Sequence, residues 1–177
     1  LVLMQCNTNY TASNNNLKYI NLNVLKIYKK LFPKVVLGLS DHTFGHTAVL
    51  GAVTLGARVV EKHFTDDNKG TGPDHKFSMN PITWKNMVNA TRELELTLGN
   101  SLKRIEKNEN QTVILQRRSI RLKSSINKNQ VIRKDNLVFL RPCPKNAYLL
   151  ENYKNIIGKK AKRKIKSGDY IKKSDFR

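Results

Sequence analysis

The sequence is short of several features that assign a chain to a protein class. Its two cysteines, Cys6 and Cys143, lie far apart and form no CxxC pair, so neither a disulfide framework nor a cysteine zinc site is expected. That usage is typical of a reducing cytoplasm. No apolar run approaches the ~18 residues of a membrane span. The start, LVLMQC, has no basic segment ahead of its apolar residues, which argues against a signal peptide, and its abruptness suggests a piece of a longer protein.

Acidic residues are also scarce, and the resulting charge is unevenly distributed. The chain carries 33 Lys+Arg and 13 Asp+Glu, a net charge of +20. Residues 103–177 hold 22 of these basic residues and 6 of the acidic ones, whereas residues 1–102 hold 11 and 7. Such a basic segment is compatible with binding to a polyanion or an anionic membrane surface. No aromatic residues alternate with the basic ones, so a nucleic-acid stacking surface is not favoured, and solvated lysines are the simpler interpretation.

The first hundred residues alternate between strand-like and helix-like segments. Short aliphatic runs predict strands at 1–6, 35–40 and 57–65. Helices are predicted at 16–31, 46–56 and 80–99, the last opening with an Asn cap and a Pro in its first turn. Strands separated by helices pair in parallel through right-handed crossovers. Segment 1–99 is therefore predicted to be α/β, the last three units of a (β/α)8 TIM barrel.

The texture of the chain changes after residue 99. Residues 100–116 have the polar composition of a linker. Residues 117–177 contain short β-prone runs punctuated by Asn, Lys, Pro and Gly, and a hairpin is predicted with its turn at 167–169. The segment 117–177 is therefore predicted to be a second, small and mostly β domain.

Two histidines follow the second and third predicted strands. His42 lies in GLSDHT and His63 in VVEKHFT, and polar residues at the carboxyl ends of barrel strands line active sites. Two neighbouring imidazoles suit Mn²⁺, Zn²⁺, Fe²⁺ or Co²⁺. The alternative is that each ring is hydrogen-bonded to its own loop, which is the preferred interpretation for His46 and His75. Asp74, held after Gly-Pro, could orient a hydroxyl or a water, or simply belong to a turn that leads into the helix.

Five segments in register resemble the N-acetylneuraminate (sialic acid) synthase family: QCNTNY, GLSDHT, LGARVVEKHFT, GPDHKFSMNP and VFLRP. The resemblance runs from residue 1 to about residue 175. It implies a TIM barrel followed by a SAF (antifreeze-like, β-clip) domain. It also implies a transferase that condenses phosphoenolpyruvate with N-acetylmannosamine, or a related 2-acetamido sugar, to a nonulosonic acid and phosphate.

The resemblance further implies roles for individual residues. His42 and His63 match the ligands of a divalent metal, typically Mn²⁺ with Mg²⁺ or Co²⁺ as alternatives, which polarises the sugar aldehyde. The remaining matches concern the substrates, with Tyr10 and Asp74 beside the reacting groups and three residues as substrate contacts: Ser40, Thr8 and Arg141. Arg141 corresponds to an arginine that one subunit contributes to its neighbour's site, which implies a domain-swapped homodimer. The family usually has Pro where this chain has Thr11.

Other functions stay open at this point. GPDH favours the sialic or legionaminic branch of the family over the pseudaminic branch. The family's first five strands, with lysines for phosphoenolpyruvate, have no counterpart in these residues, so the 177 residues alone are expected to be catalytically inactive. A non-catalytic remnant of a broken gene and a basic polyanion-binding module are the alternatives. Ice binding needs a weakly charged surface, which the basic second domain does not provide.

Overall fold

A computed structural model describes residues 1–10 and 13–176, so Thr11 lies outside the described residues. The chain divides into two compact units, Leu1–Ser101 and Leu102–Arg177. Each unit has its own cluster of buried apolar side chains.

Among its described residues, the first unit contains three parallel strands, β1 (Val2–Cys6), β2 (Val36–Asp41) and β3 (Val59–Lys62), in the order β1-β2-β3. Helices alternate with them, namely α1 (Val24–Leu31), α2 (Thr47–Thr54) and α3 (Pro81–Leu98). This order confirms the predicted α/β class. The strands pair in register, with Cys6 beside Ser40 and Asp41 beside Lys62, so their carboxyl ends meet at one edge of the sheet.

Two elements of this unit differ in extent from the prediction. The helix predicted at 16–31 is split into a 3₁₀ helix, Asn14–Tyr19, and α1, because Asn21 between them adopts a positive φ of 52° that an α-helix does not accommodate. The third strand ends at Lys62 rather than at residue 65. His63 therefore lies just after the strand, so its side chain is not held to one face of the sheet by the alternation of side chains along a strand.

The apolar core of the first unit lies between the sheet and its helices. Fully buried side chains come from α1, β2 and α2, among them Leu25, Leu39, Val49 and Ala52. Gly38 in the central strand permits close pairing, because a Cβ there would lie 2.9 Å from the carbonyl oxygen of Val59. Within the described part of the chain, no helix is both long and apolar enough to cross a membrane.

The start of α3 follows the sequence prediction closely. Asn80 is the N-cap, Pro81 occupies the first turn, and the Asn80 side chain accepts a hydrogen bond from the Thr83 backbone N–H at 2.9 Å. The Thr83 hydroxyl lies 2.9 Å from the Asn80 N–H, which completes a capping box. The helix therefore begins at a fixed point directly after the loop that carries Asp74.

The second unit is built from short β elements around a core of branched side chains. Strand β4 (Ser119–Leu122) pairs antiparallel with β5 (Leu137–Leu140), and isolated bridges add further pairings. The isoleucine and leucine side chains of this unit that are at most 1% exposed are Ile120, Leu122, Ile126, Ile132, Ile156, Ile165 and Ile171. This small β unit agrees with the predicted fold of the second domain.

The structure adds detail to one prediction for this unit and contradicts another. The stretch 100–116, predicted as a linker, contains a 3₁₀ helix, Lys107–Glu109, and a helix α4, Asn110–Gln116, because Glu106 and Glu109 form a capping box that starts them. The predicted hairpin around 167–169 is wrong. Gly168 does turn the chain with a φ of 82°, but the residues on either side of it do not pair with each other as in a hairpin. They pair with β4 and the residues after it, in the bridges Arg121–Tyr170 and Ile126–Ile165.

Candidate metal and substrate site

The carboxyl edge of the sheet brings the two predicted histidines together. Asp41 and Lys62, the last residues of β2 and β3, are partners in the parallel ladder, so His42 and His63 follow at equivalent points. Their ring centroids are 5.1 Å apart. The predicted proximity of the two imidazoles is thus confirmed, whereas their role as metal ligands stays a prediction.

Each ring has a polar partner at Nδ1, a hydrogen bond for His42 and an ion-pair contact for His63, so Nε2 is available on both. His42 Nδ1 lies 3.1 Å from the backbone carbonyl oxygen of Asn7. A carbonyl only accepts, so in the neutral ring Nδ1 carries the proton and Nε2 has the lone pair. His63 Nδ1 lies 3.4 Å from Asp74 Oδ2, at ion-pair distance. A carboxylate beside Nδ1 likewise favours a proton on that nitrogen and a lone pair on Nε2.

This arrangement fits a metal site in its donor set. Histidines that bind metals donate their second ring N–H to a carboxylate or a backbone carbonyl, which are the two partners found here. Over residues 1–10 and 13–176, no group of three or more His, Cys, Asp or Glu side chains converges on one point. The chain therefore offers two imidazole ligands, and water or a substrate oxygen would complete the shell of a bound cation.

Aromatic rings enclose the imidazole pair. The Tyr10 ring centroid lies 4.3 Å from that of His42 and 5.5 Å from that of His63, while Phe77 lies 5.1 Å from His63. Phe77 is buried, but Tyr10 is half exposed. The structure therefore brings Tyr10 into the site, where its phenol faces both the histidines and solvent.

Ser40 and Thr8, the predicted substrate contacts of the first unit, lie on the same edge of the sheet. The Ser40 hydroxyl donates to Glu61 Oε1 at 2.9 Å. Thr8 is exposed in the segment after β1, one residue from the Asn7 carbonyl that contacts His42. Asp74, expected to orient a hydroxyl or a water, faces His63 with one oxygen and remains half exposed.

Glu61, a polar residue at the end of the third predicted strand, has no role in the sequence analysis, but it contacts Ser40. It is the register partner of Ser40, and side chains at paired positions of neighbouring strands share a face of the sheet. The sequence does indicate this position, because Glu61 is the acidic residue of EKHF at the end of a predicted strand. The second omission is a buried ion pair, Asp41 with Lys62, whose members immediately precede the two histidines.

Arg141 belongs to the second unit, separate in sequence from the histidines. It is exposed just after β5 and lines a cleft of about 650 Å³ together with Arg117, Arg118 and Glu151. Positive charge exceeds negative charge in this cleft, which therefore favours an anionic or strongly polar ligand group.

The two histidines outside the pair have local roles. His75 Nδ1 lies 2.6 Å from the Thr65 hydroxyl, and His46 occupies the N-cap position of α2. Both placements agree with the preference for a structural interpretation of these two residues.

Comparison with known proteins gives two family matches. The model of the NeuB family matches residues 1–103, and that of the SAF domain matches residues 117–177. N,N'-diacetyllegionaminic acid synthase from Campylobacter jejuni is 34% identical over 172 residues, which cover 97% of this chain and 50% of that protein. Pseudaminic acid synthase from the same species is also 34% identical, over 181 residues that cover 100% of this chain and 50% of that protein.

A solved structure agrees with these matches. The spore coat polysaccharide biosynthesis protein spsE from Bacillus subtilis superposes with a TM-score of 0.51 at 30% identity, covering 99% of this chain and 53% of that one. The chain thus spans about half the length of the relatives that it matches.

Proposed function

The chain belongs to the NeuB family and carries a SAF domain, and from this premise we propose that it forms the metal-binding part of a nonulosonic acid synthase. The reaction proposed is the condensation of phosphoenolpyruvate with N-acetylmannosamine or a related 2-acetamido sugar. The observation that carries the proposal is the pair of imidazoles at the ends of β2 and β3, each with Nδ1 engaged. Two relatives that carry synthase names support the reaction class.

In this proposal His42 and His63 hold a divalent cation through Nε2, with Mn²⁺ as the first candidate and Mg²⁺ or Co²⁺ as alternatives. A cation bound there supplies Lewis-acid polarisation of the sugar aldehyde. The carbonyl of Asn7 orients the His42 ring, and the carboxylate of Asp74 orients the His63 ring, each through Nδ1 on the side away from the cation. A ring held from behind loses little freedom on binding a ligand, so the engaged Nδ1 atoms favour affinity.

The other residues of the edge are proposed to position substrates. Tyr10 packs against both imidazoles and its exposed side can cover a bound sugar, limiting the access of water. The Ser40 hydroxyl is proposed as a contact for phosphoenolpyruvate and Thr8 as a second one. Asp74 is half exposed, so the oxygen not facing His63 can accept a hydrogen bond from a sugar hydroxyl while the other orients the ring.

Arg141 is proposed to serve the site of a second copy in a domain-swapped homodimer. Its exposed guanidinium and the excess of arginine in its cleft suit a polar or anionic substrate group. Mixing a His42→Ala chain with an Arg141→Ala chain tests this, because one of the two mixed sites then regains both residues. Restored activity in the mixture of full-length proteins supports the exchange, and activity no higher than that of the separate variants contradicts it.

The metal role is tested by Mn²⁺ binding to the 177-residue chain, followed by electron paramagnetic resonance. We expect His42→Ala and His63→Ala to abolish specific binding, since each removes half of the protein ligands. His46→Ala is the matched control, because it removes an imidazole at the start of α2, outside the histidine pair, and should leave binding unchanged. Equal binding by all three variants would contradict the proposal.

The reaction itself is tested by phosphate release from phosphoenolpyruvate with a panel of 2-acetamido sugars. The 177 residues alone are expected to give no turnover, because three parallel strands cannot close an eight-stranded barrel. The legionaminic and pseudaminic acid synthases of Campylobacter jejuni are both 34% identical to this chain, so the panel must decide the sugar. The GPDH loop favours a sialic or legionaminic precursor. Turnover by the isolated chain would refute the expected inactivity.

A cytoplasmic location is part of the proposal. Cys6 and Cys143 are both free thiols in the structure, in keeping with a reducing compartment.

A second candidate function is suggested by the charge of the second unit, where basic residues outnumber acidic ones by 22 to 6 over 103–177. A polyanion-binding module would show affinity that falls steeply with salt. Replacing His42 and His63 should then leave polyanion affinity unchanged while removing Mn²⁺ binding. If the chain binds neither Mn²⁺ nor a polyanion, a non-catalytic remnant is the better description.

A further inference from the structure

A buried network of polar side chains lies directly beside the two imidazoles and has no role in the reaction proposed above. Lys62 Nζ donates to Asp41 Oδ2 at 2.7 Å and to the backbone oxygen of Thr43 at 2.7 Å. The side chains of Lys62 and Asp41 are only 2% and 0% exposed. Asp41 Oδ1 in turn accepts from the Thr43 N–H at 3.0 Å and from the Thr43 hydroxyl at 2.9 Å. We call these three residues the Lys62 clamp.

The clamp holds both sequence neighbours of His42 and directly precedes His63. His42 lies between Asp41 and Thr43, and both of these neighbours are bonded to Lys62. His63 directly follows Lys62, which is the register partner of Asp41 at the end of the β2–β3 ladder. One ammonium group therefore ties the backbone on both sides of one imidazole to the strand end that carries the other.

Stability alone does not account for such a pair. Removing two charges from water costs about as much as their attraction returns, so well-packed apolar residues of similar volume often serve a fold equally well. The ionic network is more directional than an apolar contact, because each of its hydrogen bonds fixes a distance and an angle. Its three members are the two sequence neighbours of His42 and the residue directly before His63, and this location points to the placement of the rings as its purpose.

We propose that Lys62 is a positioning residue that, through Asp41 and Thr43, fixes the relative placement of the His42 and His63 rings for a shared cation. The metal part of this inference rests on the proposed function, but the ring placement does not. In proteins, partners that orient metal-binding histidines alter metal affinity about 10–100-fold when they are replaced. Lys62 acts less directly than such partners, because it bonds to Asp41 and Thr43, the residues on either side of His42.

Two variants of the 177-residue chain test the clamp. Asp41→Leu/Lys62→Met replaces both charged side chains by apolar ones of similar size. It therefore removes the clamp without leaving one member of the ion pair buried and unpaired. Thr43→Val is milder and removes one hydroxyl hydrogen bond. Arg163→Met is the control, because it breaks the 2.8 Å ion pair with the buried Asp175 in the second unit.

The first readout is independent of metal. Long-range ¹H–¹⁵N correlation spectra of the histidine rings should show His42 of the parent chain as the Nδ1–H tautomer, since the Asn7 carbonyl can only accept. In the double variant we expect a mixture of tautomers, and in Thr43→Val a smaller shift in the same direction. The control should retain the parent spectrum.

The second readout is Mn²⁺ affinity. We expect a loss of about 10–100-fold in the double variant and of about 2–10-fold in Thr43→Val, as for one hydrogen bond. Ring spectra that are unchanged in both variants overturn the proposal, and if the double variant does not fold, Thr43→Val decides alone. A parent chain with the expected tautomer but without Mn²⁺ binding contradicts the proposed function, while the ring spectra still decide on the clamp.

Discussion

Removing one partner of the buried Asp41–Lys62 pair should destabilise the first unit far more than removing both. In Lys62→Met the Asp41 carboxylate stays in place with none of its surface exposed and loses the ammonium 2.7 Å away. The carbonyl oxygen of Thr43 loses its Lys62 donor in the same step. In Asp41→Leu/Lys62→Met neither charge remains, so the cost of an isolated buried ion disappears.

The expected magnitudes follow from this difference. Breaking a buried ion pair from one side costs about 3–5 kcal/mol, and replacing both partners by apolar residues is about neutral or stabilising. A domain of this size has a total stability of about 5–15 kcal/mol. Lys62→Met should therefore remove about a fifth or more of the stability of the first unit, and adding Asp41→Leu should restore most of it.

The assay is urea denaturation followed by fluorescence of Trp84, the single tryptophan of the chain. Trp84 lies on α3, packs against the core of the first unit and has its ring centroid 5.7 Å from that of Phe64. Its signal therefore reports on the unit that contains the ion pair. Arg163→Met, in the second unit, is the matched control and should leave the Trp84 transition in place.

Either of two results would refute this reasoning. One is a loss below about 1 kcal/mol for Lys62→Met, which is the range of a solvated surface pair. The other is a double variant as unstable as Lys62→Met alone, since the cost would then come from lost packing or lost hydrogen bonds rather than from a stranded charge.

Three further results are expected. Ile171→Ala should cost about 2–5 kcal/mol, because the side chain is fully buried, and should shift the far-ultraviolet circular dichroism transition of the second unit without moving the Trp84 transition. Asn80→Ala should cost about 0.5–2 kcal/mol in the Trp84 transition by removing the cap of α3, whereas Asn80→Ser should retain most of it. Burial raises the pKa of the Cys143 thiol although Arg117 and Arg121 act in the opposite direction, so iodoacetamide followed by mass spectrometry should modify exposed Cys6 first. Because a raised pKa lowers the thiolate fraction at a given pH, Cys143 should become reactive only at higher pH than an ordinary thiol, and equal rates for both cysteines would be contrary to the structure.

The alternation of elements in the first unit was predictable because it depends on short segments. Aliphatic runs of strand length and an Asn-Pro helix start are local signals, and parallel pairing follows from the helices between the strands. Once the strands are parallel and in register, residues that follow them must meet at one edge. The proximity of His42 and His63 was therefore accessible from the sequence.

The second unit was less predictable because its pairings are not local. Gly168 forms a turn as expected, but the residues beside it pair with Arg121 and Ile126, more than 35 residues earlier in the chain. A turn motif predicts that the chain reverses direction, but it does not predict which strand the following residues pair with. The helix α4 has a different origin, because a local capping box between Glu106 and Glu109 starts helical structure in a segment of linker composition.

The sequence by itself determined the class of the fold and the edge at which the histidines gather, since both follow from patterns that repeat over a few residues. Only the tertiary structure decided which atoms face the rings. The Asn7 carbonyl reaches His42 across 35 positions of the chain, and the Asp41–Lys62 pair spans 21. Such contacts depend on the path of the loops and on which charged side chains the packed sheet buries. Local sequence patterns predict neither of these, so the contacts could not be predicted from the sequence.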